Sequence, residues 1–140
     1  MTAANRVRDF MTIEVVTLDR NDSLTVADDI MNLGRIRHLP VLDEEDESVA
    51  GIVSQRDLFR GALARCLGYG DCAQRKLLDQ LVVKEVMVTD VATTDPDVLL
   101  EEAARVMLAR KIGCLVVVEG DRLAGILTES DFVQAFAEPQ

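Results

Sequence analysis

The sequence predicts an α/β fold of the α+β type, built from two copies of one β-α-β-β-α unit. One observation behind it is the phrase "GIVSQRD" at residues 51–57, which returns as "GILTESD" at residues 125–131. The other is an ordered series of matching residues that appears when the sequence is shifted by 76 positions. Chance can supply one match but hardly a series in one order. The chain is therefore an internal duplication, with copies near residues 7–63 and 83–136.

The matches begin with a motif V-x-x-x-M, which is "VRDFM" at residues 7–11 and "VKEVM" at residues 83–87. Each copy continues with a short extended piece that carries a shared threonine, Thr17 or Thr93. A turn rich in Asp, Asn and Pro follows, "LDRND" in the first copy and "TTDPD" in the second. Such a turn predicts the start of a helix.

A helix is predicted next in each copy. Its apolar residues are spaced three and four apart, so that they share one face and form a buried stripe. The two stripes consist of Leu24, Ala27, Ile30, Met31 and Gly34 in the first copy, and of Leu100, Ala103, Ala104 and Met107 in the second.

Two strands and a closing helix complete each copy. The strands are predicted at residues 39–42 and around 51–53 in the first copy, and at residues 115–118 and 123–127 in the second. Because Pro40 has no N–H for a neighbouring strand, we expect its strand to be an edge or an exposed element. The glycine-led phrase then opens the closing helix.

One unit of about 55 residues buries too little surface to be comfortably stable alone. We therefore expect the two copies to be related by a pseudo-twofold axis, to pack together through their sheets and to leave clefts between them. The expected domains are a first repeat at residues 1–68, a linker helix at residues 69–82 and a second repeat at residues 83–140.

The composition argues against several kinds of partner. Twenty-five acidic residues against 15 basic ones give a formal net charge of −10, which repels a phosphate backbone, so we expect no nucleic-acid partner. No apolar run approaches the roughly 18 residues of a membrane span, so we expect no membrane partner. Cys66, Cys72 and Cys114 show no Cys-x-x-Cys spacing, which indicates a reduced, cytoplasmic protein without a zinc site.

Catalytic motifs are missing as well. The sequence has one histidine, no Gly-x-Ser-x-Gly elbow and no P-loop, and it offers no base for Cys114. Nucleophilic catalysis and phosphoryl transfer are therefore not expected. We expect neither an enzyme nor a catalytic cofactor.

The whole pattern resembles a tandem pair of CBS domains, the regulatory module named after cystathionine beta-synthase. The resemblance rests on both V-x-x-x-M motifs, on "VVTLD" and "VATTD", on "IRHLPV" and on the two phrases G-h-x-[S/T]-x-x-D, and it covers about 130 residues. It implies a homodimeric module that binds an adenosine-containing ligand (AMP, ADP, ATP or S-adenosylmethionine) and transmits a conformational change to an unknown regulated protein. With no room for an attached enzyme or channel, a stand-alone CBS protein is expected.

Two interpretations of the repeated phrase stay open. Ser54 with Asp57, and Thr128 with Asp131, have the spacing of a helix N-cap and its partner, which needs no ligand. The resemblance implies in addition that the aspartates hold ribose hydroxyls and that Ser54 and Thr128 lie near phosphate. An aspartate can accept hydrogen bonds from two vicinal hydroxyls, and a helix N-terminus favours an anion, so the chemistry fits both roles.

Three basic residues make the two copies unequal, because their counterparts in the second copy carry no cationic side chain. The basic residues are Arg37, His38 and Arg56, and the counterparts are Gly113, Cys114 and Ser130. We expect one cleft suited to phosphate and one that is weaker or empty.

The predicted ligand-binding residues extend over both copies, and no catalytic or metal-binding residue is predicted. Val16 and Ala92 are candidates for purine contact. The resemblance implies that a hydroxyl and backbone groups at Thr17 and Thr93 lie against the ligand, although a β-branched residue in a strand needs no ligand. The complete set is Val16, Thr17, Arg37, His38, Leu39, Pro40, Ser54, Arg56 and Asp57, with Ala92, Thr93, Gly113, Cys114, Leu115, Thr128 and Asp131.

Two alternatives compete with ligand sensing. One is a ligand-free dimeric interaction scaffold in which the phrases serve only as caps. The other is a detached regulatory subunit of a separately encoded enzyme or transporter. For the ligand sensor, we expect a homodimer to use the exposed face of residues 24–34 and the apolar closing helices, which carry Leu58, Phe59, Ala62 and Leu63, and Phe132, Val133 and Phe136.

Overall fold

A computed structural model describes residues 5–58, 60 and 78–137. Most of the predicted linker helix, together with Cys66 and Cys72, lies outside these residues, and residues 78–80 of it are helical. The predicted α/β class is confirmed, with one three-stranded sheet for each repeat. Within the described ranges, no helix has both the length and the apolar character needed to cross a membrane.

The first repeat begins with a short helix α1 (Val7–Phe10). Its sheet consists of β1 (Leu18–Asp19), β2 (His38–Leu42) and β3 (Val49–Ser54), and helix α2 (Leu24–Gly34) connects β1 to β2. Strand β2 is central, parallel to β1 and antiparallel to β3. A closing helical segment begins at residue 55.

The second repeat has the same order of elements. Its sheet consists of β4 (Thr93–Thr94), β5 (Cys114–Glu119) and β6 (Arg122–Thr128), with β5 central. Helix α3 (Leu100–Arg110) connects β4 to β5, and helix α4 (Glu129–Ala137) closes the repeat. The pairing directions are those of the first sheet.

The helical stripes are buried largely as predicted, because one face of each helix packs on its sheet. Leu24, Ala27 and Met31 are buried in α2, whereas Ile30 is half-buried and Gly34, the last helical residue, is exposed. In α3 the buried residues are Leu100, Ala103 and Met107, and Ala104 is half-buried.

The prediction that Pro40 marks an edge or exposed strand is wrong. Pro40 lies in central strand β2 and its side chain is fully buried. The proline is tolerated because β1 is only two residues long and pairs with Val41 and Leu42, beyond Pro40. The missing N–H therefore falls where the parallel ladder has not yet begun.

The chain forms two compact units, Val16–Asp90 and Met1–Val15 with Val91–Gln140. The first-repeat unit contains Val83, the first residue of the second V-x-x-x-M motif, in its core. The second-repeat unit contains Val7, from the first such motif, in its core. The repeats defined by sequence similarity and the units defined by contact therefore differ at their N-terminal ends.

The glycine of each repeated phrase lies directly under one of these motifs. Ile126, next to Gly125, exchanges two backbone hydrogen bonds with Thr12, of 2.9 and 3.0 Å. A β-carbon on Gly125 would lie 2.7 Å from the carbonyl oxygen of Thr12 and 2.9 Å from Sδ of Met11. The glycine is therefore required by close approach of two backbone segments, and not by an unusual backbone angle.

Candidate functional site

The directions of the strands bring the predicted residues of each repeat to one end of its sheet. Parallel strands β1 and β2 begin at that end, and antiparallel β3 finishes there. His38 and Ser54 are register partners in the first sheet, as are Cys114 and Thr128 in the second. We call these two ends the first polar edge (Val16, Thr17, Arg37, His38, Ser54, Arg56 and Asp57) and the second polar edge (Ala92, Thr93, Gly113, Cys114, Thr128, Ser130 and Asp131).

Three of the predicted residues do not lie on these edges. Leu39, Pro40 and Leu115 are fully buried. They form part of the sheet interior beneath the edges and offer no side-chain surface to a ligand. The others have accessible surface, apart from Cys114 and Asp131, which are each 8% exposed.

The capping bonds of the first repeat are all present. Ser54 donates to Oδ2 of Asp57 from its backbone N–H at 3.0 Å and from its hydroxyl at 2.8 Å. The N–H of Asp57 donates in return to Oγ of Ser54 at 3.1 Å. Among the described residues no donor reaches Oδ1 of Asp57, so one carboxylate oxygen is used by the cap and the other keeps its full accepting capacity. Capping and ligand binding are therefore compatible in one side chain.

The second repeat has the same pair in a more enclosed setting. Oδ2 of Asp131 accepts from the backbone N–H of Thr128 at 2.8 Å and from its hydroxyl at 3.4 Å. The hydroxyl of Thr128 also lies 2.9 Å from that of Ser130. Burial raises the pKa of Asp131, and the hydrogen bonds from Thr128 offset only part of this rise.

Cys114 lies beside this carboxylate. Burial, with the negative charge of Asp131 as a second cause, raises the pKa of the Cys114 thiol to about 12. The thiol is therefore neutral at physiological pH and does not act as a nucleophile, because reactivity requires the thiolate. Its counterpart in the first repeat is the half-buried His38.

The raised pKa of Asp131 predicts a pH-dependent contribution to stability. A carboxyl group whose pKa is higher in the folded than in the unfolded chain opposes folding above the folded pKa. This opposition disappears as the pH falls below the unfolded value, about 3.9. Because Asn cannot ionise, the unfolding free energy of Asp131→Asn minus that of the wild type should decrease from pH 7 to pH 4, measured by urea denaturation. A difference that stays constant or increases would contradict this.

Basic residues occur on the first polar edge alone. Arg37 and Arg56 are both exposed, and the backbone N–H of Gln55 donates to the carbonyl oxygen of Arg37 at 2.8 Å. This bond fixes the segment that precedes β2 against the start of the closing helical segment, so both guanidinium groups start from neighbouring backbone. The matching residues of the second polar edge, Gly113 and Ser130, carry no charge.

The chain is thus a duplicated unit, and each copy carries a hydroxyl-aspartate pair at one end of its three-stranded sheet. The chain belongs to the CBS domain family, whose model matches residues 7–63 and 83–138. The predicted tandem CBS pair is therefore confirmed. The pair described here is a regulatory module and not an enzyme.

Solved structures of similar chains agree with this assignment. AcuB from Vibrio cholerae is 38% identical, with a TM-score of 0.80 over 96% of this chain and 92% of that one. The CBS pair of MJ0100, in complex with 5′-methylthioadenosine and S-adenosyl-L-methionine, is 26% identical, with a TM-score of 0.80 over 96% and 98% of the chains. CBSX2 in complex with AMP is 28% identical, with a TM-score of 0.76 over 95% and 96%.

Some curated relatives are longer proteins. An inosine-5′-monophosphate dehydrogenase from Methanocaldococcus jannaschii is 32% identical over 91% of this chain and 23% of the relative. Across three such relatives the chain spans 22% to 32% of their length. The similarity therefore concerns the CBS pair within these proteins and not their other parts.

Proposed function

We propose that the chain is a cytoplasmic sensor of an adenosine-containing ligand, namely AMP, ADP, ATP or S-adenosylmethionine. The ligand binds at the first polar edge, in the cleft that the sequence predicts between the repeats. The observation that carries the proposal is Asp57, whose Oδ2 completes the helix cap while Oδ1 has no donor among the described residues. The complexes of CBSX2 with AMP and of MJ0100 with S-adenosylmethionine support this class of ligand.

The polar side chains at positions 37, 38, 54, 56 and 57 of the first polar edge bind different parts of the ligand in this proposal. Oδ1 of Asp57 accepts hydrogen bonds from the ribose hydroxyls. Arg37 and Arg56, assisted by His38, attract the phosphates, which a chain of net charge −10 otherwise repels. The hydroxyl of Ser54, already used by the cap, adds a polar contact beside them.

The second polar edge has a lower affinity for phosphate in this proposal. It has no cationic side chain, and Asp131 would have to bind its ligand from a buried position. A negative phosphate next to that carboxylate is opposed by like-charge repulsion. Phosphate-bearing ligands therefore bind to the first polar edge, and the second stays weaker or empty.

The output of the module is a conformational change that a regulated protein detects. A ligand that binds one arrangement of the two repeats more tightly raises the population of that arrangement. The similarity to part of a dehydrogenase favours the hypothesis that the regulated protein is an enzyme. In this hypothesis, ligand binding is the input of the module, and control of that enzyme is its output.

The module acts as a homodimer in this proposal, and α4 contributes to the interface. Phe136 is 90% exposed and Val133 68% exposed on that helix. Phe136 also borders a groove of about 300 Å³, whose lining includes Leu99, Ala104 and Phe132. Exposed apolar surface next to a groove is typical of protein interfaces. Leu58, by contrast, is buried in the core of its own unit.

Melting temperatures test the sensor. A ligand at 100 times its Kd stabilises the folded state by about 2.7 kcal/mol, which corresponds to a rise of roughly 8 °C for a chain of this size. We expect AMP, ATP or S-adenosylmethionine to raise the melting temperature of the wild type in this way. Asp57→Ala should abolish the rise, measured against the lower baseline that loss of the cap gives this variant.

Asp121→Ala is the matched control, because Asp121 is an exposed aspartate in the turn between β5 and β6. This variant should keep the full ligand response, and Asp131→Ala should keep the response to nucleotides. If no adenosine compound shifts the wild-type melting temperature, the sensor proposal fails. If Asp57→Ala responds like the wild type, Asp57 does not hold the ribose.

A further inference from the structure

The two V-x-x-x-M motifs lie on segments that bind to their sheets in the same way. We call these segments the first strap (residues 5–12) and the second strap (residues 81–88). In the first, Thr12 exchanges two backbone hydrogen bonds with Ile126 of β6, of 2.9 and 3.0 Å. In the second, Val88 does the same with Ile52 of β3, at the same two distances. Each strap is therefore fixed to the edge strand that carries the glycine of the repeated phrase.

The methionine that ends each motif packs directly on that glycine. A β-carbon on Gly125 would lie 2.9 Å from Sδ of Met11, and one on Gly51 would lie 2.8 Å from Sδ of Met87. The sulfur thus lies over the backbone of the strand, with no side chain between them. Two equivalent thioethers therefore cover equivalent positions of the two sheets.

An oxygen added to either sulfur would find no donor on the side of the glycine. Among the described residues, the other atom close to this position is a carbonyl oxygen, that of Thr12 at 2.7 Å in one unit and that of Val88 at 2.9 Å in the other. A carbonyl oxygen and a sulfoxide oxygen both accept hydrogen bonds and cannot pair with each other. Because a buried acceptor without a donor is costly, an oxidised methionine has to turn its sulfur towards water. The strap then loses its cover.

Exposure separates these two methionines from two others. Met11 and Met87 are partly exposed, so a small oxidant can reach them. Met31 in α2 and Met107 in α3 are only 3% and 6% exposed. The chain therefore carries its own buried reference residues for the reaction.

We propose that Met11 and Met87 are a matched pair of oxidation sites, through which a peroxide releases each strap from its sheet. The thioether sulfur attacks one oxygen of hydrogen peroxide, so that an S–O bond forms, the O–O bond breaks and the second oxygen leaves as water. The sulfur loses two electrons and the peroxide gains them. A thiol-dependent sulfoxide reductase restores the thioether, which makes the change reversible.

The oxidation gives the module an input that is separate from the adenosine-containing ligand. Strand β3 carries Gly51 and ends in Ser54, and β6 carries Gly125 and ends in Thr128. Release of a strap therefore loosens a strand whose other end belongs to a polar edge. The inference does not depend on which ligand binds there, or on whether one binds.

Mass-spectrometric peptide mapping tests the selectivity of the reaction. The full chain is treated briefly with hydrogen peroxide and then with dithiothreitol, which reverses disulfide and sulfenic acid formation at cysteine but leaves methionine sulfoxide in place. Met11 and Met87 should oxidise at least about fivefold faster than Met31 and Met107, because the reaction requires access to the sulfur. Equal rates at all four positions would overturn the inference.

Amide hydrogen exchange tests the release of the strap. Oxidation should speed exchange at Thr12 and Ile126, which hold the first strap, by about tenfold, since loss of the cover makes local opening easier. Met11→Leu is the matched variant, because leucine keeps the volume and cannot be oxidised. In this variant peroxide should leave exchange at Thr12 and Ile126 unchanged and still speed it at Ile52 and Val88. Met87→Leu should show the reverse.

Each remaining outcome decides the matter. Treatment of the oxidised wild type with a methionine sulfoxide reductase should return exchange to its starting rate. If peroxide speeds exchange equally in the wild type and in both leucine variants, the effect comes from another residue and the inference fails. If both methionines are oxidised and exchange at the straps does not change, oxidation does not release them. None of these results bears on the adenosine sensor, which the melting temperatures test independently.

Discussion

Replacing Gly125 with alanine is expected to destabilise the second-repeat unit by about 2–3 kcal/mol, the upper range for overpacking of a tight contact. The new β-carbon would lie 2.7 Å from the carbonyl oxygen of Thr12, which is far below contact distance. That oxygen cannot withdraw freely, because it accepts a 3.0 Å hydrogen bond from Ile126, whose own carbonyl accepts from Thr12. Relief of the clash requires the two backbone segments to separate.

Two other glycines calibrate this effect in urea denaturation. At Gly51 the nearest atom to an added β-carbon is Sδ of Met87 at 2.8 Å, followed by the carbonyl oxygen of Val88 at 2.9 Å. The thioether can rotate away, but the Val88 carbonyl accepts a 3.0 Å hydrogen bond from Ile52 and cannot, so we expect Gly51→Ala to cost about 2–3 kcal/mol as well. At Gly34 an added β-carbon meets only the end of the Ile36 side chain, at 2.9 Å. Gly34→Ala, at the end of a helix, should be within about 0.5 kcal/mol of the wild type.

The order of the three variants matters more than any single value. If Gly125→Ala and Gly34→Ala were equally stable, the segment around Thr12 would not be held against β6 as tightly as the distances indicate. The expected order also explains the first V-x-x-x-M motif. Its Met11 packs against Gly125 of the second repeated phrase, so this motif and this phrase form the two sides of one contact.

The elements of the fold could be predicted from the sequence because their patterns are local. A stripe such as Leu24, Ala27 and Met31 indicates a helix wherever it packs, and both helices were predicted within their observed bounds. The position of Pro40 could not be predicted in this way. Proline is excluded from a central strand only where a neighbour needs its N–H, and that depends on how early β1 begins pairing.

The sequence also could not predict that each V-x-x-x-M motif belongs to the core of the unit formed by the other repeat. The motifs that begin at Val7 and Val83 are alike, so either could pack against either sheet with the same residue pattern. Only the contacts show that Val83 belongs to the core of the first-repeat unit and Val7 to that of the second. Because the two copies share one pattern, the duplication makes the fold easy to recognise. For the same reason it does not indicate which motif packs on which sheet.

The candidate site was partly predictable for a related reason. The spacing of Ser54 and Asp57, or of Thr128 and Asp131, is a local property, and in both repeats the aspartate accepts from the backbone N–H and the hydroxyl of its partner. The greater burial of Asp131 depends on its packed surroundings, which no local pattern specifies.

Phe136→Ala is expected to weaken the proposed homodimer about 30-fold, since truncating an aromatic residue at the centre of an interface typically costs about 2 kcal/mol or more. The side chain is 90% exposed in the single chain, so its removal should change the stability of the monomer by less than about 0.5 kcal/mol. The substitution also leaves the net charge unchanged. A loss of dimer would therefore report on the interface and not on folding or repulsion.

Sedimentation over a range of concentrations measures this, with Leu108→Ala as the matched control. Leu108 is 78% exposed on α3 but is not part of the groove that Phe136 borders. Its truncation should leave the dimer unchanged. Two chains of net charge −10 repel each other, so the wild-type dimer should also tighten as salt rises from 0.05 to about 0.5 M, because screening shortens the range of that repulsion. A wild type that stays monomeric at every concentration and salt level, or equal dimer constants for Phe136→Ala and Leu108→Ala, would exclude the groove on α4 as the site where a second copy docks.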